Sequence, residues 1–286
     1  ANRSKGGKAF IVLPSTANAF MANLEAHVAK ATAWLASQNA YIDILRADVF
    51  APDALAGLLE TLPDTYDGVA TVALDHPRVR IAINDLVQRG VAVVTLVSDA
   101  PSSRRNHYVG IDNPAAGRTV GTLMGRFLGG RRGRIGVIAG SMALRDHAER
   151  HFGFNQVMSA EYSHLSLLPV CEGRDDIGQN RRLTRELLAA HPDLVGLYNV
   201  GAGNEGIAAT LEASGRARDI VWIAHELGAE TRRLLLDGAL DAVINQDAGH
   251  EVRSAARLLL ARCTGEAIIP EQEMIRIEIF LRDNLP

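Results

Sequence analysis

The sequence predicts an α/β protein built as two doubly wound parallel-sheet lobes, and three observations carry that prediction. Short apolar, β-branched runs alternate with longer amphipathic stretches along the whole chain without a break. Strands alternating with helices at this spacing imply right-handed βαβ units and parallel sheets. A length of 286 residues favours two domains over one. Two of the apolar runs also end in a polar side chain that packing does not need: Glu226 after 220–224, with His225 between, and Gln246 after 242–244. Strand interiors in parallel sheets read as continuous apolar segments, and ligands sit beyond their carboxyl ends, so both side chains are expected to face a cleft.

Taken in order, the first half opens with a strand at 10–13, a helical pattern at 21–37 and a strand at 41–45. Helix 52–61 leads to strand 69–74, helix 77–89 leads to strand 91–97, and strand 108–111 closes this half. The second half starts with helix 115–128, capped by Asp112 and Asn113, followed by strand 135–139, helix 147–161 and strand 165–170. Helix 177–190, strand 194–200, helix 205–213, strand 220–224, helix 229–236, strand 242–244 and helix 251–262 complete it. No low-complexity tract, solenoid repeat or Gly/Ser linker intervenes, so the lobes are expected to be joined by short segments able to act as hinges.

Composition is that of an ordinary globular protein, 47% hydrophobic and 22% charged, with a formal net charge of -3. That mild acidity argues against the chain gripping nucleic acid by itself. The basic residues are 27 Arg and only 3 Lys (Lys5, Lys8 and Lys30), which reads as the mark of a GC-rich genome before any binding role. No apolar run approaches the roughly 18 residues of a membrane helix, and ANRSKGGKAF at residues 1–10 is too polar for a signal peptide. Cys171 and Cys263 lie far apart in apolar-flanked segments, which fits buried reduced thiols.

Enzyme signals are thin. No GxSxG elbow, Walker A loop or CxxC is present, and the nine histidines lack metal-ligand spacing. His147 and His151 are four apart on a helix, yet the bracketing acid of a zinc protease motif is missing, and Ala148-Glu149-Arg150 reads as ordinary helix. Gly201-Ala202-Gly203-Asn204-Glu205-Gly206 follows a strand and opens a helix, and Glu226 stands at about the spacing of a ribose-binding acid. Taken alone, that segment supports NAD binding. It lies two-thirds along the chain, however, and no acid–base constellation follows it. A tight turn at a cleft rim accounts for the same glycines, and no cofactor or metal is expected.

The order of motifs resembles the type I periplasmic sugar-binding-protein fold and, within it, the effector domains of lac-repressor-type transcription regulators. IVLPSTANAF (11–20) is similar to the family's opening strand and Asn-Pro-Phe-Phe loop at Asn18 and Phe20, departing at Ala19 and Met21. DGVATVALDH (67–76), VVTLVSDAP (93–101) and YVGIDNPAAGRTVGTLM (108–124) follow in the family's order. AERHFGFNQVM (148–158) carries the Arg-x-x-Gly-Phe pattern at Arg150, Gly153 and Phe154, and DGALDAVINQD (237–247) comes last. The resemblance implies lobes of 1–111 plus 247–275 and 112–246 plus 276–286, joined by three hinge crossovers.

It also implies ligand contacts at Asn18, Phe20, Arg150, Glu226 and Gln246, with Ser15, Ser98, Asp99, Asp175, Asn199 and Gly201 completing the lining. A carboxylate accepts from neighbouring hydroxyls, Arg donates from a planar fork, amides do both, and an aromatic ring covers an apolar face, so the set suits a polyhydroxylated molecule. Three departures leave ligand identity open: Val97-Ser98-Asp99 where sugar binders carry an Asp-Arg pair, glycine near 201 for the usual Asn or Asp, and only 5% aromatic residues. A sugar, a polyol or something smaller and partly cationic all fit.

The expectation is the sugar- or polyol-sensing effector and dimerisation domain of such a regulator: a cytoplasmic homodimer reaching operator DNA only through an N-terminal helix-turn-helix outside this chain. ANRSKGG resembles the end of a regulator's hinge. The alternative is a solute-binding protein of a sugar transporter, and an NAD-dependent enzyme stands well behind both.

Overall fold

The computed structural model describes residues 8–13, 18–48 and 50–286. The chain divides into two compact units, Ala1–Ile111 with Asp247–Arg276 and Asp112–Gln246 with Ile277–Pro286, so the backbone crosses between them three times.

In chain order the first unit contains β1 (Lys8–Leu13), α1 (Ala19–Ser37), β2 (Ala40–Ile44), α2 (Pro52–Glu60), β3 (Gly68–Thr71), α3 (Pro77–Gln88), β4 (Ala92–Leu96) and β5 (His107–Val109). The second contains α4 (Asn113–Leu128), β6 (Gly133–Ala139), α5 (Arg145–Glu161), β7 (Leu165–Leu167), β8 (Cys171–Glu172), α6 (Ile177–Ala190), β9 (Leu194–Asn199), α7 (Asn204–Ala213), β10 (Val221–His225), α8 (Ala229–Asp237) and β11 (Ala242–Asn245). α9 (Ala248–Thr264) and α10 (Pro270–Glu273) return to the first unit, and β12 (Glu278–Phe280) ends in the second.

Local chemistry sets the helix starts. Proline occupies the first turn of α2, α3 and α4, where its missing N–H costs nothing. Asp112, Asp176 and Asp247 each accept a backbone N–H at the N-caps of α4, α6 and α9.

The first unit holds a five-stranded parallel sheet in the order β2-β1-β3-β4-β5. The order reverses at β1, and right-handed crossovers therefore carry α1 and α2 to opposite faces; α1 packs on α9 and α2 on α3. The second sheet runs β12-β11-β10-β9-β6-β7, parallel except at β12, with β8 also pairing with β6. Its order reverses between β6 and β9, the switch point at which doubly wound sheets open a crevice for ligands.

Short elements and strand ends differ from the sequence expectation: α10 was not expected, and the strand expected at 69–74 ends at Thr71. The strand expected at 165–170 stops at Leu167 as β7, and the unexpected β8 follows at Cys171–Glu172, because Pro169 lies in the stretch between them and has no N–H for a ladder. β12 was not expected; it is a three-residue antiparallel edge on β11 with an exposed outer pattern, too short for a periodic signal.

In the second unit Trp222, Tyr198 and Phe154 are fully buried. Trp222 joins Ile138, Leu197, Leu211 and Leu234 in one apolar cluster, each aliphatic side chain contributing roughly 1.5–3 kcal/mol by burial. α4 and α5 meet through glycine. A Cβ on Gly117 would overlap the Arg150 carbonyl oxygen, and one on Gly153 would overlap the Pro114 carbonyl oxygen. Only hydrogen at these two positions lets the backbones touch, and that contact sets where Arg150 stands.

Candidate functional site

In the second unit the expected residues gather at the carboxyl ends of β6, β9, β10 and β11. Arg150, one and a half turns into α5, is 3% exposed and directed at the switch point. Its Nε donates to Asn113 Oδ1 at 2.8 Å and its Nη1 to the Val200 carbonyl at 3.1 Å. Both of these acceptors are neutral. Two carboxylates stand farther off on its other nitrogen: Asp146 Oδ2 at 4.0 Å and Glu226 Oε1 at 3.9 Å from Nη2. The surface ion pair on this helix is Arg145 with Glu149, at 2.7 Å.

Glu226 directly follows β10, with φ 67. A non-glycine residue in the left-handed region costs of order 1–3 kcal/mol and persists only where surroundings over-determine it. Its amide donates to the Ile244 carbonyl at 2.8 Å, and its Oε1 accepts from Gln246 Nε2 at 2.8 Å. Burial pushes the Glu226 carboxyl up to about 7; Arg150 and Gln246 partly offset this, and the Asp146 charge adds to it. His225 is held well below its ordinary value by burial first, then by Arg150 and His147. It shares a 2.7 Å hydrogen bond with the buried Tyr198 hydroxyl.

Asp146 and His147 were not singled out as site residues from the sequence. Both are buried on the first turn of α5, at 5% and 4% exposure. Asp146 lies four residues before Arg150 and so shares its helix face, which is the periodicity signal that could have found it. His147 Nδ1 accepts the amides of Gly140 and Ser141 at 3.2 and 3.3 Å, which assigns its proton to Nε2, 3.7 Å from Asp146 Oδ2. Asp146 Oδ1 and Gln246 Oε1 are buried and have no hydrogen-bond partner among the described residues. Two buried acceptors without donors, beside one guanidinium, are groups that a ligand can satisfy.

Asp175 is buried with its backbone left-handed at φ 58, following Arg174 at φ 52. Its Oδ1 accepts the Ala202 amide at 2.9 Å. Its carboxylate and the His147 ring lie against Gly140 and Gly201, leaving neither glycine room for a Cβ. Asn199 is tied into the same turn, donating to the Ala202 carbonyl at 3.0 Å and Asn204 Oδ1 at 2.7 Å. The remaining glycines of the 201–206 run also have packing causes. Gly203 has φ +76, and a Cβ on Gly206 would overlap the Ile177 carbonyl oxygen of α6.

In the first unit, Asn18 caps α1, accepting the Met21 amide at 3.1 Å, and Phe20 is half-buried beside it. Ser15 lies outside the described residues. Val97, after β4, is buried with φ 63. Ser98 is 1% exposed and its hydroxyl has no partner among the described residues. Asp99 is engaged within its own unit by both Arg105 nitrogens, by the Thr95 hydroxyl at 2.6 Å and by the Ala100 amide at 2.8 Å. Its carboxylate is thus occupied by structure. Both cysteines are free thiols, each raised mainly by burial. Among the described residues no group of His, Cys, Asp and Glu has the geometry to hold a metal ion, and no helix is long and apolar enough to cross a membrane.

Residues 9–267 match the family described as periplasmic binding protein domain. The fold is shared with a glucose-galactose binding protein from Geobacillus stearothermophilus (22% identity, TM-score 0.88, covering 99% of this chain and 100% of that one). It is shared also with an ABC transporter solute binding protein from Burkholderia graminis in complex with D-arabinose (21% identity, TM-score 0.89, 99% and 98% covered). A third, from Actinobacillus succinogenes with bound D-allose, is 14% identical with a TM-score of 0.84, covering 97% of this chain and 98% of that one. No curated protein matches the chain in sequence.

Proposed function

Because this chain belongs to the periplasmic binding protein domain family, a family of binding proteins rather than enzymes, we propose that it binds a small polyhydroxylated molecule, a sugar or polyol. The observation that carries this reading is the set formed by buried Arg150, Gln246 and Asp146 with half-buried Glu226 at the strand ends of the second unit, with acceptors at Asp146 Oδ1 and Gln246 Oε1 lacking donors among the described residues. Hydroxyl groups supply such donors and accept in turn from a guanidinium. The sugars named with two of the neighbours, D-arabinose and D-allose, belong to the same class. Calorimetric titration with D-arabinose, D-allose, D-galactose and D-sorbitol tests the reading. Saturable binding to wild type, weakened by Arg150→Ala, supports it; no binding across the panel overturns it.

The role best supported is delivery of that solute to a membrane transporter, since two of these neighbours are ABC transporter solute binding proteins. A second reading, effector domain of a cytoplasmic, dimeric lac-repressor-type regulator, is favoured by the wording of 224–227 and 237–247 and by the basic and small residues of 1–7. The coding sequence upstream of Ala1 separates the two: a helix-turn-helix of about 60 residues means regulator, an export signal means transport. Sedimentation gives a second discriminator, because palindromic operators call for a two-fold dimer.

A further inference from the structure

Resting on the sugar or polyol reading above, we propose that the ligand carries a basic nitrogen as well as hydroxyls, an amino sugar or aminopolyol whose ammonium is taken by the Asp146 and Glu226 carboxylates.

Charge balance in the second unit argues for it. Asp146 and Glu226 both face one guanidinium nitrogen of Arg150, at 4.0 and 3.9 Å, while its Nε and Nη1 donate to the neutral acceptors of Asn113 and Val200. One cation between two acids leaves one negative charge without a counter-ion. The other groups around Glu226 do not supply it. Gln246 from the end of β11 is an amide, and Thr231 from α8 offers its hydroxyl to the Glu226 carbonyl. His225, the preceding residue of β10, is kept neutral by burial and by Arg150. His147, beside Asp146 on α5, accepts two backbone amides on Nδ1 and so has one proton left, on Nε2. Asp175, packed against the same two glycines as His147, adds a further carboxylate to this end of the sheet.

A buried carboxylate short of a counter-ion recruits a proton or a cation. Without ligand, the high proton affinity of Glu226 answers the first need. An ammonium set near Asp146 Oδ1, which is buried without a partner among the described residues, answers the second and displaces the proton. A neutral sugar fills the unpaired acceptors and leaves the charge imbalance standing. Binding of the amine is therefore coupled to proton release, and binding of the neutral parent is not.

Calorimetric titration at about pH 6.5, in two buffers of different ionisation enthalpy, reads both affinity and proton exchange. The probes are D-glucosamine, D-galactosamine, D-mannosamine and 1-amino-1-deoxy-D-sorbitol, each against its neutral parent. The expected result is at least one amine binding at least about tenfold tighter than its parent with release of part of a proton. Glu226→Gln should abolish the release, and Asp146→Asn should shrink the preference. Parents that bind as tightly as their amines, or amine binding without proton release, overturn the inference and leave the sugar reading in place. Binding by neither class overturns both.

Discussion

Replacing Glu226 with glutamine should stabilise the ligand-free protein at alkaline pH while weakening its site. The Glu226 side chain is 20% exposed, so solvent screens it little. Its carboxyl titrates near 7 in the folded protein, against an ordinary value of 4.5. Between those values the folded chain holds a proton that the unfolded chain has released. Stability is therefore fully present below about pH 4.5 and is lost as pH rises through about 7. At about 1.4 kcal/mol for each tenfold change in proton affinity, the gap amounts to a ceiling of about 3 kcal/mol. Glutamine has the same shape, keeps an acceptor for Gln246 Nε2 and has no proton to lose. Urea unfolding of both proteins, compared at about pH 5 and about pH 8, should show the wild type losing up to about 3 kcal/mol more than the variant. If the two track each other within about 0.5 kcal/mol over that range, Glu226 is not the buried, charge-poor carboxylate described above.

Other outcomes follow from the same geometry. Arg150→Ala should weaken any identified sugar ligand about ten- to a hundredfold or more, because a charge-assisted hydrogen bond is worth roughly 1.5 to 3 kcal/mol; calorimetry reads the change. Gly153→Ala should cost about 1–3 kcal/mol in urea unfolding, since the added methyl meets the Pro114 carbonyl; it should also weaken ligand by shifting Arg150, which Gly57→Ala, at an open position, should not. Asp99→Asn should lower stability by breaking the Arg105 pair while moving ligand affinity less than Arg150→Ala does, a split seen by measuring both quantities on one sample. A ligand at about 100 times its Kd should raise unfolding free energy by about 2.7 kcal/mol.

Much of this was legible in the sequence because periodicity and composition are local properties. Alternating β-branched and amphipathic runs name the βαβ units, and residues 220–224 and 242–244 end in Glu226 and Gln246 whatever the rest of the chain does. Resemblance in the order of motifs added Arg150, and the structure places all three of these side chains at neighbouring strand ends. The partners of each polar group were not legible, because they come from distant positions: Asp99 is paired with Arg105, while Arg150 spans to Asn113 and Val200. Asp146 is the clearest case. Its spacing of four from Arg150 was its one signal in the sequence, and it acquires meaning only once α5 is pressed against α4 through Gly117 and Gly153, so that the face it shares with Arg150 is buried. Burial then turns an ordinary carboxylate into an unsatisfied one. Desolvation depends on what surrounds a group in three dimensions, and that is decided by tertiary packing alone.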